Sequence, residues 1–438
     1  MADSAHGKTG LRRGLRSFAL FGTMIVLHGA APYGTEEVIP MAGPGLAILV
    51  LSAMALFWGL PYVLVVSELV SGIPEEGGMY RWFRAGLGPF WSFVFACSDW
   101  ITWILDSAIY PPLVAAYLVT FFIRSPSHEI SWIVSLLLIW GCTWLNIRGI
   151  GAVGKFSLVV GGIVLAPMLA IIFLGLPRFS LSNLAPWTPA DVPLTSAINH
   201  AMIWGLWHYS GYYALASASE EIVDTPRNYP KVLAIFLPIN ALLFILPLLA
   251  GLGATPDWAS WEAAHFNQVA LVLGGGLLAA LMVFGAQLGA IGIFNGQILV
   301  ASRMAFAMAR DGLLPPSLAR LHPRHGTPHL FLIGQAVLFS ILTYFFDFSE
   351  ILIVSVWTAL PSLLLLFITP IVLRLKRPDL KGRFRIPGGW PGLLLTSLTP
   401  SAIAVFALLT VEFKYILIGL VFLAIGPVLY LFSARWRR

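Results

Sequence analysis

The sequence predicts an all-α polytopic membrane protein of about twelve transmembrane helices, and three observations carry that prediction. The first is composition. Of 438 residues, 58% are hydrophobic and 11% charged, and mean hydropathy is +0.85. A soluble domain carries about 25% charge, so a soluble globule, a disordered chain and a nucleic-acid-binding protein are excluded. The second is the presence of twelve mostly apolar runs, since crossing a bilayer takes about 20 such residues. The third is the sorting of positive charge. Alternating the runs from a cytoplasmic N-terminus puts 23 of the 26 Lys and Arg residues on the cytoplasmic face and leaves only Arg124, Arg178 and Lys414 outside. That is the positive-inside pattern, and it implies a multi-pass protein of the cell membrane with both termini cytoplasmic.

Taken in order, residues 1–17 form a short basic tail, and no cleavable signal is expected because the run that follows is full-length. Span 1 (18–38) holds Gly29-Ala30-Ala31-Pro32-Tyr33-Gly34 at its centre. Proline removes a backbone donor and glycine permits non-helical angles, so a break is expected there. Span 2 (46–71) carries Glu68 near its cytoplasmic end, and Span 3 (90–122) carries Asp99 and Asp106. The seven-residue spacing puts both on one face with Trp103 and Tyr110, and Pro111 and Pro112 predict a kink beyond. Spans 4 (130–147) and 5 (152–176) are apolar. Cys97 and Cys142 both fall in apolar runs, so no disulfide framework is expected. Span 6 (196–222) has a second interruption at Trp207-His208-Tyr209-Ser210-Gly211. It ends in Glu220 and Glu221, within expected reach of Arg227 or Lys231 for gate-type salt bridges. Span 7 (231–254) leads to an outer loop, Asp257–Phe266, with an interfacial turn. Span 8 (269–302) spaces Gly285, Gly289, Gly292 and Gly296 for close helix packing. Spans 9 (329–346) and 10 (351–373) meet tightly at Asp347, and spans 11 (390–411) and 12 (414–433) close the chain.

Breaks in the first and sixth spans are the arrangement of two inverted five-helix repeats around a midplane site. The organisation expected is a first repeat over 18–176, a second over 177–373, and two extra spans with the C-terminus over 374–438. Non-helical backbone survives at membrane depth only where it is buried or lines a cavity. Acids there are equally informative, because each costs about 2.5–3.5 kcal/mol at a helix centre. Asp106 is a candidate proton carrier or counter-ion for a substrate amine. Glu36 either binds a cation or sits in the outer vestibule, while Glu37 points elsewhere. Asp99 and His208 are further proton-coupling candidates, and His28 flanks the first break. No Walker loop, dinucleotide fingerprint or GxSxG is present. His322, His325 and His329 make no convergent metal-ligand set. No enzyme, cofactor or metal is therefore expected, only a small-molecule cargo, a proton and the lipid bilayer.

Several segments together resemble the amino acid–polyamine–organocation superfamily. They are Glu68-Leu69 followed by PEEGGMYRWFRAGLGPF (74–90), LNIRG (145–149), SEEIVDTPRNYPK (219–231), SRMAFAMARDGLLP (302–315) and GRFRIPGG (382–389). Within it, GAAPYGTEEVIPMAGP (29–44), DSAIYPPL (106–113) and LPLLAGLGA (246–254) resemble the polyamine-uptake branch. The resemblance implies a LeuT-like fold and secondary transport by alternating access. It places Gly29, Ala30 and Ala31 in the break that receives a substrate carboxylate, and Gly211 at the second break. It matches Trp207 to the aromatic that closes over substrate in an arginine/agmatine exchanger, and sets Asp106 and Ser107 on the substrate-facing part of span 3. Tyr33, Glu36, Trp103, Tyr209 and Ser210 complete the expected substrate site, with cation–π attraction from the aromatics. Sodium-coupled members place hydroxyl ligands in span 8, yet no Ser or Thr occurs from Ala270 to Ala301. The break here lacks the usual Ser, no acid stands near Ser210, and the Glu221-to-Pro226 spacing is one residue longer than usual. The function implied is import of a small amine, polyamine or amino acid, by proton symport. A neutral amino-acid permease or exchanger is the alternative, and a non-transporting sensor and a membrane enzyme are the readings from other classes.

Overall fold

The computed structural model describes residues 11, 13–29, 33–122, 127–262, 264–345, 348–409 and 413–433. Its helices are α1 Ser17–Gly29, α2 Val38–Ala42, α3 Pro44–Met54, α4 Leu60–Gly72, α5 Met79–Leu87, α6 Pro89–Phe122, α7 His128–Ile147 and α8 Ile150–Gly175, followed by α9 Leu194–His208, α10 Thr225–Ala254, α11 Phe266–Arg310, α12 His329–Phe345, α13 Phe348–Lys376, α14 Gly389–Leu409 and α15 Phe413–Phe432. A π-helical turn, Ala55–Gly59, joins α3 to α4 in one continuous rod. Among the described residues, helix falls in every apolar run, and seven stretches are long and apolar enough to cross a membrane: Pro44–Gly72, His128–Ile147, Ile150–Arg178, Thr225–Ala254, Phe266–Arg310, Ala359–Lys376 and Gly389–Ala407. Among the described residues the only β-type pairing is one parallel bridge, Leu15 to Ile222.

Both expected interruptions appear. In the first, Tyr33 and Gly34 form a turn that leads into a 3₁₀ stretch, Thr35–Glu37. α9 stops at His208 and is followed by a short 3₁₀ stretch, Ala214–Glu221. Ala30, Ala31 and Pro32, and the junction at Asp347, lie outside the described residues. Pro111 and Pro112 sit inside α6, which runs on to Phe122. α11 contains one non-helical residue, Gly275 (φ +68°), in its N-terminal part.

Large apolar side chains such as Leu137, Phe173, Leu277 and Leu395 face outward. A soluble monomer does not tolerate so much exposed apolar surface, whereas lipid welcomes it. Inside, the broken span 1 packs against α8, α10 and α11. The glycine row of α11 makes this approach possible. A Cβ at Gly292 would lie 2.2 Å from Val26 Cγ1, and one at Gly285 would lie 2.5 Å from the Tyr33 hydroxyl. Small residues let helix backbones come close where no hydrophobic drive exists between lipid-solvated helices. Here the row seats the interrupted helix. Cys97 and Cys142 are free and buried.

Candidate functional site

Each break is held by a histidine from the other broken span. His28, the penultimate residue of α1, donates Nδ1–H to the Met24 carbonyl at 3.1 Å, because a carbonyl can only accept. Its ring stacks on Tyr212 at 5.7 Å and 18°, and its Nε2 fills the space beside Gly211, 2.8 Å from where a Cβ would stand. Gly211 has φ +86°, a backbone angle that L side chains resist. Reciprocally, His208 at the end of α9 donates Nδ1–H to the Trp204 carbonyl at 2.7 Å. Its Nε2 meets the Thr35 hydroxyl, just past the first break, at 2.9 Å.

The acids follow a different rule, in that neutral groups hold them. Asp99 is fully buried; its Oδ1 accepts from the Tyr213 hydroxyl at 2.5 Å and its Oδ2 from Trp103 Nε1 at 3.1 Å. Asp106 is half-buried one face-turn outward, and its Oδ2 accepts from Gln297 of α11 at 2.5 Å. Glu36 is buried and bound to backbone, accepting from Gly34 N at 2.8 Å and from Phe266 N, the first turn of α11, at 3.4 Å. It thereby caps a helix N-terminus, where a carboxylate is favoured. Glu37 is half-buried. Among the described residues no Lys or Arg lies within ion-pair distance of Asp99, Asp106 or Glu36.

Several expected contributors have their polar atoms occupied. Ser107 donates to the Trp103 carbonyl at 2.5 Å, Ser210 to Leu206 at 2.5 Å, and Tyr33 to Val164 at 2.9 Å. Tyr209 is buried with its ring edge-on to Phe244 of α10, while Trp207 is 49% exposed and sits edge-on to Trp204 and His208. The two aromatics turn to different neighbours. Gly29 ends α1 at the mouth of the first break.

The basic end of the bundle corrects one expectation. Glu221 pairs not with Arg227 or Lys231 but with Arg303 of α11, through Nε–Oε1 at 2.7 Å and Nη2–Oε2 at 3.4 Å, with both side chains out of solvent. The 3₁₀ winding of Ala214–Glu221 turns Glu221 inward, whereas Arg227 is exposed on α10. Glu220 is buried as well, and Asp224 binds Arg383 at 3.0 Å. Glu68 is no loose interfacial acid, since Arg374 clasps it at 2.8 and 2.6 Å and Ile386 N adds a third bond at 2.7 Å. The residues missed by sequence reasoning are Thr35, Tyr213, Gln297 and Arg303. Arg303 stood in the SRMAF segment as a loop charge, and Gln297 was one of few polar residues in the stretch Ala270–Ala301, which has no Ser or Thr.

Comparison with known proteins agrees with this architecture. The family described as "Amino acid permease" matches residues 14–430. Polyamine transporter PUT1 of Oryza sativa subsp. japonica is 28% identical, covering 93% of this chain and 77% of the relative. A protein of Arabidopsis thaliana named "Probable polyamine transporter At3g19553" is 30% identical over 93% of this chain and 85% of its own. Branched-chain amino acid permease BcaP of Bacillus subtilis (strain 168) is 26% identical over 98% of this chain and 94% of its own.

Proposed function

The chain belongs to the amino acid permease family, and from that premise we propose that it is a secondary transporter importing a small amine, a polyamine or an amino acid, by proton symport with alternating access. The reading takes twelve spans in the cell membrane with cytoplasmic termini, and two inverted repeats over 18–176 and 177–373 followed by the two spans of 374–438. One observation carries the choice of a cationic group. Asp106 stands half-buried between spans 3 and 8, bound by the Gln297 amide, and among the described residues no basic side chain is at ion-pair distance. A desolvated carboxylate without a counter-charge is costly, and an ammonium group or a proton supplies one. In this reading the ammonium meets Asp106 and the backbone carbonyls of Tyr209 and Ser210 at the second break, with Trp103, Ser107, Ser210 and Trp207 around it. Tyr33, Glu36 and Tyr209 shape the walls, and Asp99, His208 and Glu36 join Asp106 as proton-coupling candidates. Glu220, Glu221 and Arg227 mark the cytoplasmic gate. Membrane potential favours import by about 2.3 kcal/mol per charge per 100 mV.

A second reading, a neutral amino-acid permease, rests on the glycine in the first break and on the likeness to BcaP. Uptake by proteoliposomes separates the two. Labelled putrescine, spermidine and a panel of amino acids are offered with and without an inward proton gradient. Preference for the cationic amines, abolished in Asp106→Asn, is expected. Uptake of branched-chain amino acids alone, unaltered in that variant, would reject the cationic reading, and no flux with any of them would reject transport.

A further inference from the structure

The turn between α4 and α5, Pro74–Gly78, drives a carboxylate into the protein at the basic end of the bundle. Glu76 is 1% exposed, and its Oε2 accepts from the backbone N of Glu220 at 3.1 Å, while its Oε1 has no hydrogen-bond partner. Two glycines put it there. Gly77 (φ +104°) bonds through its N to the Ser217 carbonyl at 2.8 Å, and a Cβ on it would lie 2.5 Å from Ala307 Cβ. A Cβ on Gly78 (φ +48°) would lie 2.8 Å from Ser217 N. The turn therefore lies backbone-on-backbone against the inner part of span 6, with α11 behind.

The charges facing this pocket come from every element around it. The inner part of span 6 brings Glu220 and Glu221, and α11 brings Arg303. The turn itself carries Glu75, and Arg81 of α5 pairs with Glu75 at 3.6 Å while donating Nε–H to the Glu76 carbonyl at 3.1 Å. The N-terminal segment is pinned to the same spot, Gly14 N bonding to the Glu221 carbonyl at 2.9 Å, and its Arg13 and Arg16 line the adjoining basin of about 1120 Å³. Arg303 is committed to Glu221 and Ser302, and among the described residues no cation reaches ion-pair distance of the Glu76 carboxylate. One buried guanidinium thus serves two buried carboxylates. Burial first, then the Glu221 carboxylate, hold Glu76 well above the usual carboxylate range.

We propose that Glu76 carries the coupled proton at the cytoplasmic gate, holding it while packed beneath the inner part of span 6 and releasing it to cytoplasmic water when that part withdraws. The proposal rests on the proton-symport reading above and names the group that would serve it. The step is a simple dissociation. The O–H bond at the carboxyl breaks, water takes the proton, and the carboxylate left behind is hydrated. Withdrawal of Ala214–Glu221 removes the Glu220 N–H from Oε2 and opens the unpartnered Oε1 to solvent, so one movement both exposes and ionises the group. The deeper acids lack this arrangement, because Asp99 and Asp106 are each bound by side-chain donors at 2.5 Å.

The test is Glu76→Gln in the full chain, which reproduces the shape of the protonated acid and cannot release a proton. In proteoliposomes an inward gradient of one pH unit supports up to about tenfold amine accumulation per coupled proton, and the variant is expected to fall to about one. Substrate-for-substrate exchange, which needs no net proton movement, reports that the variant is folded. Infrared spectra give a readout independent of flux, since the carboxyl C=O band of the wild type at neutral pH should be reduced in the variant. Gradient-driven accumulation by the variant within about twofold of wild type, or unchanged carboxyl bands, would overturn the assignment to Glu76. A wild type that transports amines but ignores the gradient would overturn proton symport and this proposal together.

Discussion

Alanine at Gly211 tests whether the two breaks brace each other. At φ +86° a Cβ is strained by about 1–2 kcal/mol. The same Cβ would stand 2.8 Å from His28 Nε2 and 3.3 Å from its Cδ2. The ring has little room to retreat, because it is stacked on Tyr212 at 5.7 Å and edge-on to Phe236 at 5.7 Å. Displacing a packed side chain adds about 1–3 kcal/mol, so Gly211→Ala should cost about 2–5 kcal/mol in all. His28→Ala removes the obstacle but not the backbone strain. The double variant should then be more stable than the sum of the singles by about 1–3 kcal/mol, the scale of coupling between contacting residues. Reversible unfolding in mixed micelles of the wild type, both singles and the double gives the cycle. Costs that add to within about 0.5 kcal/mol would mean that His28 does not brace the second break.

Other predictions concern single interactions. Glu221→Ala leaves Arg303 buried without its counter-charge and should cost about 3–5 kcal/mol in thermal unfolding, whereas Glu221→Leu with Arg303→Met should cost less than either change alone. Equal losses in single and double variants would sink the pairing. Thr35→Val removes the partner of His208 Nε2 at a cost of about 1 kcal/mol, and His208→Phe should add little once Thr35 is gone. Glu36→Ala uncaps α11 at Phe266 and should cost about 0.5–2 kcal/mol, unlike Glu37→Ala. The pH dependence follows from Glu76, whose folded-state affinity for a proton is raised. A group that binds its proton more tightly when folded contributes stability that is complete below its unfolded pKa, about 4.3, and is lost as pH climbs toward the folded value. Stability measured in detergent should therefore fall with rising pH above the ordinary carboxylate range, and less steeply in Glu76→Gln.

The helices were legible because apolar length is a local property, and the interruptions at Tyr33–Gly34 and past His208 were legible because Pro32 and Gly34, and Gly211, disfavour helix locally. What each interruption touches was not legible. Sequence spacing put Glu221 near Arg227 and Lys231, but that spacing assumes a helix, and the 3₁₀ winding of Ala214–Glu221 aims the side chain at Arg303 instead. Glu36 read as either a cation ligand or a vestibule acid, because its partner, Phe266 N, lies 230 positions away in the chain. The Gly77-Gly78 turn read as part of a motif. Its consequence, a carboxylate wedged beneath span 6, depends on two backbones meeting and has no signature in composition.

The partners of the acids explain why their depth matters. At the basic end, Glu76 apart, several acids meet arginine. Glu68 has Arg374, Glu221 has Arg303, and Asp311 has Arg81 at 2.7 Å together with Arg84. These pairs tie α4 to α13, and the end of α11 to α5 and to Ala214–Glu221. Away from that end, the carboxylates of Asp99, Asp106 and Glu36 are held by a phenol, an indole, an amide and backbone N–H groups. Such donors soften the desolvation of a carboxylate without cancelling its charge. Topology forces that division, because arginines retained at the basic end cannot also serve the middle of the bundle. If the breaks and span 3 do form the transport site, its missing positive charge has to arrive with the cargo or with a proton, and binding either one relieves a cost built into the unloaded protein. Placing one Lys in the middle of the bundle at the Gln297 position, beside Asp106, tests this directly. The variant should gain stability relative to Gln297→Leu and lose cationic-amine uptake, and a Gln297→Lys protein that still imports putrescine would show that Asp106 is not the charge the cargo meets.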